Sequence, residues 1–133
     1  MNPEVPNPNR VLVIDDSESI HKLVVARLRP EGLEVLGEVD GERGIERAIA
    51  DQPDLILLDI GLPNVDGFEV CRRLRSGGHE KAVIVAITGY GQDEDRRRSR
   101  TAGFDAHMVK PVNPDELVKL VESAARSRQG APR

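Results

Sequence analysis

A chain of 133 residues with a formal charge of −4 makes one domain, and at this length it buries roughly two-thirds of its unfolded surface. The absence of a long basic run, together with only three aromatic residues (Phe68, Phe104 and Tyr90), excludes bulk nucleic-acid binding and a base-stacking platform. A single cysteine, Cys71, excludes an internal disulfide framework and fits a reducing, cytoplasmic setting, and no apolar run approaches the roughly 20 residues of a membrane span.

The opening MNPEVPNPNR is rich in Pro and Asn and lacks the apolar stretch of a signal peptide, so residues 1–9 are expected to form a flexible tail. RVLVIDD then gives a first strand that ends on Asp15 and Asp16. A helix follows over 17–29, with Ile20, Leu23, Val24 and Leu28 at helical spacing. The next apolar run, LEVLGEV over 33–39, carries Glu34 and Glu38 and reads as an edge strand. A helix over 41–50 has Ile45, Ala48 and Ile49 as its apolar side. LILLD, 55–59, is continuously aliphatic, as a strand covered on both faces should be, yet it stops on the carboxylate of Asp59 before turning through Gly61 and Pro63. Asp66 is the expected N-cap of a helix over 67–75 whose apolar face is Phe68, Cys71 and Leu74. AVIVAITG supplies a fourth strand ending at Thr88. The helix expected near QDEDRRRSRTAG offers the core little beyond Ala102 and is therefore weakly anchored. AHMVKP ends a fifth strand at Lys110. NPDE opens the last helix, with Asn113 as N-cap, Pro114 at the first helical position and Glu116 closing a capping box. The stripe of that helix is Leu117, Leu120, Val121 and Ala124, and residues 128–133 are expected as a second loose end.

Strands alternating with helices imply βαβ units and a parallel sheet covered by helices on both faces. In such a sheet the C-terminal strand ends share one edge, and ligands bind outside it. Asp15, Asp16, Asp59, Thr88 and Lys110 should therefore meet in one crevice. Converging carboxylates need a cation, and an acid-rich, all-oxygen site suits Mg²⁺. Carboxylates also serve as phosphoryl acceptors, with a metal and a lysine neutralising the charge of the transferring group. On this reading Asp59 is the nucleophile, and Asp15 and Asp16 hold the metal.

The pieces VLVIDDSE, DLILLDIGLPNVDGFEV, IVAITGYG and GFDAHMVKPV, in this order and spacing, resemble the receiver domains of two-component response regulators, over residues 10–127. GFDAHMVKPV is similar in particular to receivers attached to hybrid histidine kinases. The resemblance implies a flavodoxin-like three-layer α/β fold with a five-stranded parallel sheet of order 2-1-3-4-5. It also implies that Asp59 is the phosphoacceptor and that Asp15, Asp16, Asp59 and the backbone carbonyl of Gly61 hold Mg²⁺. Thr88 corresponds to the hydroxyl that moves onto the phosphoryl group, and Lys110 to the lysine that pairs with it, with a cis bond to Pro111. The implied partners are a sensor histidine kinase or a histidine phosphotransfer domain as donor, and a downstream protein that the sequence does not name; neither nucleic acid nor membrane is among them. The module is expected to be a phosphoacceptor in a phosphorelay rather than an enzyme, with at most slow self-phosphorylation from small donors and self-dephosphorylation. No output domain is expected after residue 127.

Two positions depart from the family pattern. His107 stands where receivers usually carry the Tyr or Phe that swings inward when the threonine moves, and Leu62 stands where the family has Met. Among the remaining chemistry-bearing residues, His21 is expected to be an exposed helix residue, His79 a solvated loop residue and Cys71 a small core residue. No two of the three histidines have zinc-ligand spacing. The charges of DEDRRRSR can pair four apart, Asp93 with Arg97 and Glu94 with Arg98, along a solvated helix. A Mg²⁺-dependent phosphatase of the haloacid dehalogenase type would need an acid where Gly61 stands, and a degenerate receiver serving only as a scaffold would not keep the full set of acids, threonine and lysine.

Overall fold

The computed structural model describes residues 10–63, 65–79, 81–89 and 95–130; the expected N-terminal tail lies outside them. Five strands, β1 (Arg10–Ile14), β2 (Glu34–Glu38), β3 (Leu55–Asp59), β4 (Val83–Thr88) and β5 (Ala106–Val109), alternate with α1 (Glu18–Leu28), α2 (Gly41–Asp51), α3 (Gly67–Ser76), α4 (Asp95–Ala102) and α5 (Pro114–Gly130). A short 3-10 turn, Arg29–Glu31, follows α1, and α5 runs on into the stretch read as a tail. All strand pairs are parallel, as the alternation of strands and helices predicts, and the order is β2-β1-β3-β4-β5, the doubly wound arrangement that the resemblance implied. The charged strand β2 is at an edge, where Glu34 pairs with Arg10 at 2.9 Å and Glu38 with Arg47 at 3.1 Å.

The helices start where side-chain oxygens can take their first amides. Ser17 accepts from Ile20 N, Asp40 from Arg43 N, Asp66 from Glu69 N, and Asn113 from both Asp115 N and Glu116 N. Each such cap contributes about 1 kcal/mol. Because side chains alternate across a strand, the sheet feeds two cores. Val11, Val13, Leu55, Leu57, Val85 and Ile87 meet Ile20, Val24 and Leu28 of α1 and Leu117 and Val121 of α5 on one face. Leu12, Ile14, Ile56, Leu58, Ile84 and Ala86 meet Ala48 of α2, Phe68, Cys71 and Leu74 of α3 and Ala102 of α4 on the other. Phe68 and Phe104 pack edge to face at 6.2 Å. Cys71 is buried as expected, and burial pushes its thiol up to about 11, so it stays protonated and inert.

Packing corrects the sequence reading at three places. Helix α2 buries Gly41 against Val70 of α3 and turns Gly44 and Ala48 to the core, whereas Ile49, assigned above to its apolar side, is 58% exposed. A Cβ on Gly44 would lie 2.5 Å from Cδ1 of Ile14, so the helix sits close on its glycine face and turns Ile49 outward. His79 is not solvated: it is only 4% exposed, and its Nε2 donates to the Ala48 carbonyl at 3.0 Å. The loop beyond α3 folds inward there because Arg75 collects carbonyls around itself, donating to His79 O, Ala82 O and Gly103 O and pairing with Asp105 at 2.8 Å. Gly103 adopts φ +109°, a left-handed conformation that favours glycine, and so turns its carbonyl into this clasp. His21, expected to be exposed, is half-buried and bonded.

Among the described side chains of α4, Arg97, Arg100 and Thr101 are exposed and only Ala102 is buried, in line with the weak anchoring expected of this helix. Asp93 and Glu94, the acids of the two proposed ion pairs, lie outside the described residues.

Candidate functional site

The sheet delivers its polar strand ends to one edge. In register, Asp59 stands opposite Ile87, one residue before Thr88, and the Lys110 amide donates to the Thr88 carbonyl at 2.8 Å. The amide of Asp15 donates to Glu38 O at 3.1 Å, which continues the β1–β2 ladder one step past the strand. Lys110 is joined to Pro111 by a cis peptide bond, as the resemblance implied.

Carboxylate oxygens of Asp15, Asp16 and Asp59 come within 4.8 Å of one another. Asp15 is fully buried, Asp59 is 6% exposed, and Asp16 is open to solvent at the mouth. Lys110 Nζ lies 3.4 Å from Asp15 Oδ2 and 3.5 Å from Asp59 Oδ2. The other oxygens of these acids are taken by backbone: Ser17 N–H donates to Asp15 Oδ1, and Gly61 N–H to Asp59 Oδ1, both at 2.8 Å. Asp15 Oδ2 is left buried without a hydrogen bond, at an ion-pair distance from Lys110 but not in hydrogen-bonding geometry.

The electrostatics follow from this crowding. Burial raises the pKa of Asp15 above the ordinary carboxylate value, and the Asp59 charge adds to the effect against the lowering influence of Ser17 N–H and Lys110. Burial by itself would lower the pKa of Lys110, but the two carboxylates outweigh it and raise it, so the ammonium stays charged. A buried carboxylate oxygen with no hydrogen bond, two further acids within reach and only hard oxygen donors fit a small divalent cation such as Mg²⁺.

Thr88 is brought to the same edge, where its hydroxyl donates to Met108 O at a long 3.5 Å. His107 pairs in register with Ala86, and Thr88 with Val109. Since Ala86 faces the α2–α4 side and Met108 the α1–α5 side, His107 and Thr88 share the α4 face of the sheet. His107 as a residue is half-buried, and its ring Nε2 is shielded from solvent.

Two residues around the acids escaped the sequence reading. The Ser17 amide binds Asp15 through an Asx turn, for which Asp-x-Ser after a strand is the legible signal. His21 places Nε2 2.7 Å from the Asp15 carbonyl, a contact set by how α1 docks and carried by no motif.

Residues 11–122 match the family model described as response regulator receiver domain. Over 124 residues the chain is 37% identical to the DNA-binding dual master transcriptional regulator RpaA of Synechocystis, covering 92% of this chain and 52% of that protein. It is 36% identical over 119 residues to the alkaline phosphatase synthesis transcriptional regulatory protein PhoP of Bacillus subtilis, covering 88% and 48%. The chain thus spans about half the length of these curated relatives. The crystal structure of a CheY-like response regulator receiver domain protein from Methanospirillum hungatei superposes with a TM-score of 0.83 at 30% identity, covering 91% of this chain and 97% of that one.

Proposed function

Because the chain belongs to the response regulator receiver domain family, we propose that it accepts a phosphoryl group on Asp59 from a phosphohistidine and thereby switches the binding of a partner protein. The observation that carries this reading is the position of Asp59: it ends a fully buried strand, lies 3.5 Å from the Lys110 ammonium and sits beside the acidic pair. A carboxylate oxygen of Asp59 attacks phosphorus, the P–N bond of the donor breaks, and its electron pair returns to the donor imidazole, leaving an acyl phosphate. Lys110 neutralises charge on the transferring group. Asp15, Asp16 and Asp59, with the Gly61 carbonyl, are the residues that would hold Mg²⁺, whose contribution when bound is to offset the negative charge of acids and phosphoryl oxygens together. The Thr88 hydroxyl gives up only a long bond to Met108 O when it turns toward the phosphoryl group.

The donor on this reading is a sensor histidine kinase or a histidine phosphotransfer domain in a cytoplasmic relay. On the same reading small donors enter by the mouth beside exposed Asp16, giving at most slow self-phosphorylation, and water entering there hydrolyses the acyl phosphate. The DNA binding named for the Synechocystis relative is said of that protein, and no DNA contact is proposed for this chain.

Incubation with acetyl phosphate and Mg²⁺ followed by intact mass measurement tests the reading. Wild type gains one phosphoryl group, and Asp59→Asn gains none. Equal labelling of the two would overturn it.

A further inference from the structure

We infer that His21 is a positioning residue for the acidic pair: its ring holds the Asp15 carbonyl, and with it the loop carrying Asp15 and Asp16, and Gly37 is the slot that admits the ring. The inference rests on the phosphoacceptor reading given above.

His21 lies in the first half of α1, with Nε2 2.7 Å from Asp15 O. A carbonyl only accepts, so Nε2 carries the proton and donates. On the other side of the ring is β2. A Cβ built on Gly37 would fall 2.6 Å from Nδ1 and 2.9 Å from Cε1 of His21, closer than real Cβ atoms come. Gly37 is an ordinary strand residue, so its backbone does not call for glycine, and a glycine inside a strand costs about 0.5–1 kcal/mol. What the missing side chain provides is room for the imidazole.

The consequence falls on Asp15. Its N–H is held by Glu38 O at 3.1 Å, its carbonyl by His21 at 2.7 Å, and its Oδ1 by Ser17 N at 2.8 Å. With three atoms tied, the buried Oδ2 has one direction left, toward Asp59 and Lys110. Two of the three ties are backbone to backbone or lie within the turn; the third comes from a side chain on α1 and can be removed separately.

The test uses the full chain and follows the Mg²⁺ dependence of Asp59 labelling by acetyl phosphate, with Mg²⁺ titration of the amides by NMR alongside. His21→Gln keeps an N–H donor at the ε position, whereas His21→Leu fills the slot without one. Expected is a half-saturating Mg²⁺ concentration raised about tenfold in His21→Leu and in Gly37→Ala, near wild type in His21→Gln, with the rate at saturating Mg²⁺ kept in all. Gly37→Ala should have no further effect in a His21→Ala background, because the ring it displaces is gone. An unchanged half-saturation in folded His21→Leu, or the same loss in His21→Gln as in His21→Leu, overturns the inference. Should His21→Leu fail to fold, an unchanged half-saturation in Gly37→Ala overturns it in the same way. A wild type with no Mg²⁺ response and no labelling overturns the phosphoacceptor reading itself, and so is distinguishable from failure of this inference alone.

Discussion

The Lys110 ammonium stands 3.5 Å from Oδ2 of Asp59, and the same nitrogen is 3.4 Å from Oδ2 of Asp15. One cation is therefore shared between two buried acids while a third, Asp16, waits at the rim. Replacing it should separate binding from chemistry. In Lys110→Met the acids lose their only neighbouring ammonium among the described residues, so Mg²⁺ binds more tightly, while labelling by acetyl phosphate at saturating Mg²⁺ slows by about a hundredfold. Mg²⁺ titration by NMR and the rate of mass gain measure the two effects; a variant that weakens both equally would count against Lys110 acting on the transferring group.

Asp15 is held against its own solvation. Its pKa is raised, first by burial and then by Asp59, so the stability it contributes in acid is lost as pH rises through that raised pKa, and at neutral pH its charge works against the fold. Asp15→Asn keeps the oxygen that accepts Ser17 N–H and removes the charge. Without metal at neutral pH this variant should be more stable by about 1 kcal/mol, near 4 °C in melting temperature, and should lose the thermal shift that Mg²⁺ gives the wild type. A less stable variant in calorimetry at neutral pH would contradict the sign.

Helix α4 should be the least protected of the five helices, because Ala102 is its one buried side chain among those described. Hydrogen exchange over 95–102 should be faster than in α5. The Arg75 clasp on Gly103 O and Asp105 fixes the end of this helix. Lysine has no planar fork of donors, so Arg75→Lys should accelerate exchange in α4 and in the 77–79 loop further and destabilise the chain by about 2 kcal/mol. Protection in α4 equal to that of α5 would refute the first statement, and unchanged exchange in Arg75→Lys the second.

His107 sits on the α4 face beside the strand end that carries Thr88. If its ring moves inward with Thr88 on activation, it is buried more readily neutral than charged, because desolvation disfavours the imidazolium. The titration midpoint of the His107 ring should then be lower with beryllofluoride on Asp59 than without it, so that acid opposes the active state. Identical midpoints by NMR would mean that the ring takes no part in the switch. His107→Tyr should remove the pH dependence and leave Asp59 labelling intact.

The aliphatic runs ending on Asp15, Asp59, Thr88 and Lys110 were enough to predict a parallel sheet and bring their ends to one edge, because period and strand direction are local properties that a parallel sheet converts into proximity, whereas the strand order came from the resemblance to receivers. The caps at Asp66 and Asn113 were legible for the same reason: a cap is satisfied within three residues. Docking distances are not local. The sequence assigned Ile49 inward because it matches the helical stripe, and only the approach of Gly44 to Ile14 decides that α2 turns it outward. It assigned His79 and His21 to solvent because an isolated polar residue near a loop or on a helix usually is exposed. Burying each required an acceptor from another element, Ala48 O for His79 and Asp15 O for His21, and for His21 also a strand glycine sixteen positions away, and such pairings exist only once the helices have packed. Which residues gather at this edge was determined by the chain; which oxygen of Asp15 is left without a hydrogen bond, and what holds it there, was decided by the tertiary structure, because that depends on where three separate elements place a donor around a single peptide.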